Sequence, residues 1–163
     1  MKKNLYILFI FVTTLVVSQP SIHKVLEKYN SHSIPYITAD SLSKHNSFIL
    51  LDTRELKEYN VSHLKNSIYV GYEHFKINEL ASKIKDKKTP IVVYCSLGIR
   101  SESIAQKLKN AGYINVYNLY GGIFEWKNHN FTVYNSNEIA TEKVHVYSKY
   151  WSQYLIKGEK IYE

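Results

Sequence analysis

The run Ile91-Val92-Val93-Tyr94, introduced by Pro90, carries no charged or amide side chain on either face of an extended chain. A strand can hold such a run only where both faces are covered, the condition of a parallel sheet between layers of helices. Other segments carry shorter or less uniform apolar runs. Residues 48–51 form an apolar run ending in Asp52, residues 68–70 form another closed by Gly71, and Val116–Leu119 precedes Gly121-Gly122. Residues 35–38 read as a short extended piece. Between these runs the apolar period changes to that of a helix. Ile22, Val25, Leu26 and Tyr29 share one face, as do Ile104, Ala105, Leu108 and Ala111, with Gly112 placed to end the second helix. Asp40 and Ser41 are candidate caps for a short helix carrying Leu42, and residues 55–59, 75–84 and 122–126 suit further helices. Strands interleaved with helices in this way predict an α/β fold: a central, mostly parallel sheet with helices on both faces.

Two end segments stand apart. Lys2 and Lys3 precede an apolar run over residues 5–17, with Val16 and Ser18 at the −3 and −1 positions of a cleavage before Gln19. This is the layout of a secretory signal peptide, and the run is shorter than the roughly 20 residues a spanning helix needs. The expected organisation is a signal peptide at 1–18, a helical lead-in at 19–33, the main domain at 34–130 and an extension at 131–163 that packs on the domain. The expected location is periplasmic or secreted, with no stable membrane anchor after cleavage. The extension is rich in Tyr, Lys, Asn and Ser, and residues 149–156 are a candidate amphipathic helix.

The formal net charge is +7, but the lysines are dispersed. Their densest group, Lys83, Lys85, Lys87 and Lys88, reads as a solvated helix end. No nucleic-acid reading module accompanies it, so no nucleic-acid partner is expected. The seven histidines show no zinc-like pairing, and no metal or organic cofactor is expected.

The single cysteine excludes an intrachain disulfide. A lone cysteine is either an inert core residue or a reactive thiol. Cys95 sits where a buried strand hands over to a helix, in Cys95-Ser96-Leu97-Gly98-Ile99-Arg100-Ser101. In open parallel sheets, ligands bind outside the carboxyl ends of the strands. The N–H groups of a helix start and a following arginine favour an anion there, and such surroundings activate a thiol.

The segment from Cys95 to Arg100, a cysteine followed five positions later by arginine, resembles the active-site loop of the rhodanese family. Leu51-Asp52-Thr53-Arg54 with Glu58-Tyr59 is similar to that family's aspartate-x-arginine segment and its glutamate-aromatic pair. His63-Leu64 falls at its usual glycine-histidine-isoleucine turn, and Gly121-Gly122 with Trp126 is similar to its late glycine-glycine and tryptophan element. Ser62 and Asn66-Ser67 depart from glycines and an alanine that the family usually has in the turn. The likeness spans residues 36–129 and implies a sulfurtransferase with Cys95 as the catalytic nucleophile. Ser96, Leu97, Gly98, Ile99 and Arg100 would form the substrate cradle, together with Arg54, with Asp52 and His63 in support. It further implies a small anionic sulfur donor such as thiosulfate and a thiol or cyanide acceptor.

Of the 21 basic residues only Arg54 and Arg100 are arginines, and both follow a predicted buried strand. Arginine in a lysine-rich chain suits bidentate anion contacts. For Arg54 the competing reading is a structural ion pair with Asp52 or Glu58, and for His63 a structural turn histidine. Two other functions are compatible with the pattern: a non-enzymatic persulfide carrier or docking module, and a phosphatase. Phosphatases similar to the family have one more residue between cysteine and arginine, so the shorter loop favours sulfur.

Overall fold

The computed structural model describes residues 21–162. The expected signal peptide, residues 1–18, lies outside the described residues. Helix α1 (Ile22–Tyr29) leads into β1 (Tyr36–Ile37), α2 (Ala39–Ser43), β2 (Ile49–Asp52), α3 (Leu56–Val61), β3 (Ile68–Tyr69) and α4 (Ile77–Lys83). Then follow β4 (Ile91–Tyr94), α5 (Ile99–Asn110), β5 (Val116–Leu119) and α6 (Gly122–Asn128). The five strands form one sheet in the order β1-β5-β4-β2-β3, and every pairing is parallel.

The sheet is covered on both faces, as the unalternated runs require. Along β4, Ile91 and Val93 enter one core cluster with Leu51, Leu80 and Leu108. Val92 and Tyr94 enter the other, with Leu42, Leu97 and Phe124. All four β4 residues are fully buried. At roughly 1.5–3 kcal/mol for each large apolar side chain buried, this central strand is a main source of stability.

Two local expectations change. Helix α2 is capped by Thr38, whose Oγ1 accepts from the Ser41 amide, and Asp40 and Ser41 lie inside the helix. Thr38 has the extended backbone an N-cap needs. The helix expected at 149–156 is a single 3₁₀ turn, Trp151–Tyr154. Leu155, with φ −89° and ψ 105°, returns the chain to extended backbone and ends the turn inside the expected span.

The extension adds β6 (Val133–Tyr134), paired antiparallel with β7 (Ala140–Thr141), and β8 (Lys143–His145), paired parallel with β9 (Glu159–Ile161). Val144, Val146, Tyr154 and Leu155 are buried in the same cluster as Val92 and Tyr94, and β8 packs on α3. This segment shares the domain core, and through α3 it reaches the end of the sheet that holds Cys95.

Candidate active site

Cys95 is the first residue after β4, at the carboxyl edge of the sheet. Gly98 turns the chain with φ 104°, a conformation open to glycine, and α5 begins at once. The turn brings the Gly98 amide to 3.1 Å from Cys95 Sγ, donating to it. Ser101 Oγ lies 3.6 Å from the sulfur and 2.7 Å from Asn118 Oδ1. With one hydrogen it can donate to either, so it can turn toward the sulfur when negative charge forms there. Asn118 and Asn30 both donate side-chain N–H groups to the Gly98 carbonyl, at 2.8 and 2.9 Å. They hold the turn in place.

The other half of the loop hangs from α6. The Ile123 amide donates to the Cys95 carbonyl at 2.9 Å and the Phe124 amide to that of Ser96 at 3.2 Å. This approach explains the glycine pair in the sequence. Gly122 has φ 54°, and a Cβ there would overlap both carbonyl oxygens.

Arg100 faces the sulfur from the first turn of α5. Its Nη1 and Nη2 donate to Glu58 Oε2 and Oε1 at 2.7 and 2.8 Å, and Nη2 also donates to Ser96 Oγ at 3.0 Å. The Glu58 side chain is fully buried, whereas that of Arg100 keeps 19% of its surface exposed. Burial pushes the Glu58 carboxyl up, but the Arg100 hydrogen bonds and charge, with help from Arg54, outweigh it and bring its pKa down to about 2. Burial also pushes the Cys95 thiol up. The Arg100 charge, the Ser101 amide and hydroxyl and the Gly98 amide together outweigh it, and the thiol lies below its ordinary value.

Cys95, Ser96, Leu97, Ile99 and Arg100 line one side of a pocket of about 320 Å³. Tyr147 and Trp151, both from the extension, line another. Among the described residues no three His, Cys, Asp or Glu side chains gather as a metal site would require.

The two remaining candidates lie elsewhere. Arg54 has no exposed surface and is absent from the pocket lining, so the ion-pair reading describes it and a substrate contact does not. Its Nε and Nη2 donate to Asp52 at 3.0 and 2.7 Å, and Nη2 reaches the Ser62 carbonyl, tying the end of β2 to the end of α3. Asp52 therefore supports the edge of the sheet without touching the pocket. His63 is buried and also outside the pocket. Its Nδ1 donates to the Tyr59 carbonyl, its Nε2 lies 3.0 Å from Glu138, and its backbone bridges to Tyr134. It fastens the extension to the turn. The turn also explains one sequence departure, since Asn66 has φ 60°, which asparagine tolerates well.

Glu58, Asn118 and Ser101 also belong to the site, beyond the residues the sequence pattern points to. Glu58 carried a signal, the glutamate-aromatic pair, but its partner is Arg100 and not Arg54. Asn118 is a polar residue inside a buried strand, which calls for a specific hydrogen-bond role.

Residues 38–129 match the family model described as Rhodanese-like domain. The chain belongs to the rhodanese-like family. A protein named thiosulfate sulfurtransferase GlpE from Coxiella burnetii is 35% identical over 99 residues, covering 61% of this chain and 90% of that protein. A tRNA uridine(34) hydroxylase from Hamiltonella defensa is 33% identical over 108 residues, 61% of this chain but 30% of that protein. Among solved structures, a rhodanese-related protein from Thermoplasma volcanium shares 28% identity with a TM-score of 0.50, covering 61% of this chain and 96% of that one. Residues 131–163 lie beyond the family match, so the Tyr147–Trp151 wall is an addition to the rhodanese-like domain.

Proposed function

We propose that the protein is an exported sulfurtransferase that moves sulfane sulfur from a thiosulfate-like donor to a thiol or cyanide through a persulfide on Cys95. The observation that carries this reading is the Cys95 sulfur itself. It is buried at a pocket floor, receives the Gly98 amide at 3.1 Å and has its pKa lowered by Arg100 and the loop donors. In the first step the Cys95 thiolate attacks the outer sulfur of thiosulfate. A Cys95–sulfur bond forms, the outer sulfur–sulfonate bond breaks, and the electron pair leaves with sulfite. Arg100 and the loop amides offset the charge on the leaving group and then on the persulfide anion. In the second step an acceptor thiolate attacks the outer sulfur and Cys95 leaves as thiolate. The chain holds one cysteine, so the attacking thiol comes from another molecule. The name of the Coxiella relative supports the donor, and four residues between Cys95 and Arg100 favour sulfur over phosphate. Export rests on the signal-peptide pattern of residues 1–18.

Incubation with thiosulfate should add one sulfur to the intact mass, and cyanide should then release thiocyanate. Cys95→Ser should abolish both signals. A wild type that gains no sulfur and yields no thiocyanate would rule the reading out, and hydrolysis of an aryl phosphate would favour a phosphatase instead.

A further inference from the structure

The mouth of the Cys95 pocket has a chemistry that the sulfur-transfer steps do not require. Three aromatic side chains surround it: Tyr72 from the segment after β3, and Tyr147 and Trp151 from the extension. Two carboxylates, Glu55 and Glu73, share the lining, and among the described residues neither forms an ion pair. The one cationic side chain in the lining is Arg100, and the buried Glu58 already compensates it at 2.7 and 2.8 Å. A chain with a formal net charge of +7 thus carries aromatic rings and two carboxylates outside any ion pair at its pocket mouth, Glu55 also accepting a backbone amide at the start of α3.

The aromatic wall is held firmly. Tyr147 keeps φ at 63°, uncommon for a bulky residue, and its amide donates to Nδ1 of the buried His145 at 3.0 Å. Buried Val144 and Val146 anchor the strand before it, and Tyr154 and Leu155 anchor the turn after it. The Tyr147 ring already accepts a cation, with the Arg100 guanidinium carbon 5.2 Å from its centroid. Trp151 is wedged edge-on against Tyr29 and Tyr150. Strained backbone that costs stability tends to persist where the side chain has a task. Aromatic faces and carboxylates together attract cations and repel anions.

We infer that Tyr147, Trp151, Glu55 and Glu73 select the acceptor, and that it is a thiol carried beside a positive charge. This rests on the sulfurtransferase reading for the transfer step, though the preference of the mouth does not. An aminothiol and a cysteine flanked by lysines present the same chemistry. Anionic thiols are disfavoured, and an anionic donor meets the same repulsion until it reaches Arg100.

The single cysteine makes the test direct. The full chain is treated with two methanethiosulfonates, one bearing a trimethylammonium and one a sulfonate group, and Cys95 modification is timed by intact mass. Rates are normalised to those of a free small thiol. The cationic reagent should be favoured about tenfold at low salt. Tyr147→Gly removes the ring while suiting the left-handed backbone, and should lower that preference about threefold. Glu73→Gln, on an exposed loop, should lower it about twofold and lower KM for thiosulfate. A wild-type preference no greater than that of the free thiol, or one that neither variant alters, overturns the inference. Sulfur transfer is then compared between cysteamine, 3-mercaptopropionate and a lysine-flanked cysteine peptide. The better of the two cationic acceptors identifies the source, and 3-mercaptopropionate as the best overturns the inference. Failure to form the persulfide with the reagent preference intact would count against the sulfurtransferase reading alone.

Discussion

The molecule holds two arginine–carboxylate pairs, both near the carboxyl edge of the same sheet, and they have opposite roles. Arg54 and Asp52 have no exposed surface, and the guanidinium also bonds the Ser62 carbonyl. Arg100 and Glu58 are as close, at 2.7 Å, but the arginine borders the pocket and keeps part of its surface open. The first pair closes on itself and braces a loop. The second keeps its guanidinium, paired as it is, at the pocket, where its charge still lowers the Cys95 thiol. Chemically equal pairs are thus divided into structure and function by solvent access, set in turn by whether the arginine ends a strand turn or begins a helix.

Removing one partner of the closed pair should have the largest effect. Asp52→Ala leaves a buried guanidinium without its counter-ion and should cost roughly 3–5 kcal/mol in a urea titration. A smaller loss, near that of a surface ion pair, would make the two pairs alike.

The open pair should show itself through pH. Glu58 has a folded pKa of about 2, below the ordinary 4.5. A carboxyl depressed on folding stabilises the fold above its unfolded pKa, and that contribution is lost as pH falls through 4.5 toward 2. It should amount to about 3 kcal/mol at neutral pH. Urea titrations from pH 6 to pH 2 should show this slope, and Glu58→Gln should flatten it.

Arg100→Lys keeps the charge and loses the fork. Turnover with thiosulfate should fall about 100-fold, while loss of the bidentate bond to buried Glu58 should lower the unfolding free energy by about 1–2 kcal/mol, less than Asp52→Ala does. Equal losses of activity and stability would contradict the division. The smallest effect should be seen in the thiol. The rate of Cys95 alkylation by iodoacetamide should reach half its maximum at a pH below that of an ordinary cysteine, and Arg100→Gln should move that midpoint upward.

Much of this was legible in the sequence. β4 coincides with the unalternated apolar run at Ile91–Tyr94, because a strand buried on both faces leaves no other pattern, and β5 coincides with the run at Val116–Leu119, interrupted only by Asn118. Cys95 and Arg100 were legible because one short loop contains both. Arg54 admits two readings in the sequence, a cradle contact and an ion pair with Asp52 or Glu58, and the choice depends on Ser62 eight residues on and on Tyr94 in another strand. Glu58 could be seen as notable, but its choice between two arginines is made by tertiary packing. The apolar spacing around Trp151–Tyr154 suits a helix and a 3₁₀ turn alike, and Tyr147 carries no sequence mark of its left-handed backbone.

The grip of α6 on the Cys95 loop has a consequence for delivery. The Cys95 and Ser96 carbonyls are fixed by the Ile123 and Phe124 amides, and a side chain at Gly122 would force them apart. The loop is therefore a dock and not a swinging arm. On the proposed sulfurtransferase reading, a sulfur loaded there would stay within a bond length or two of where it was received, and the receiving molecule would have to make the journey.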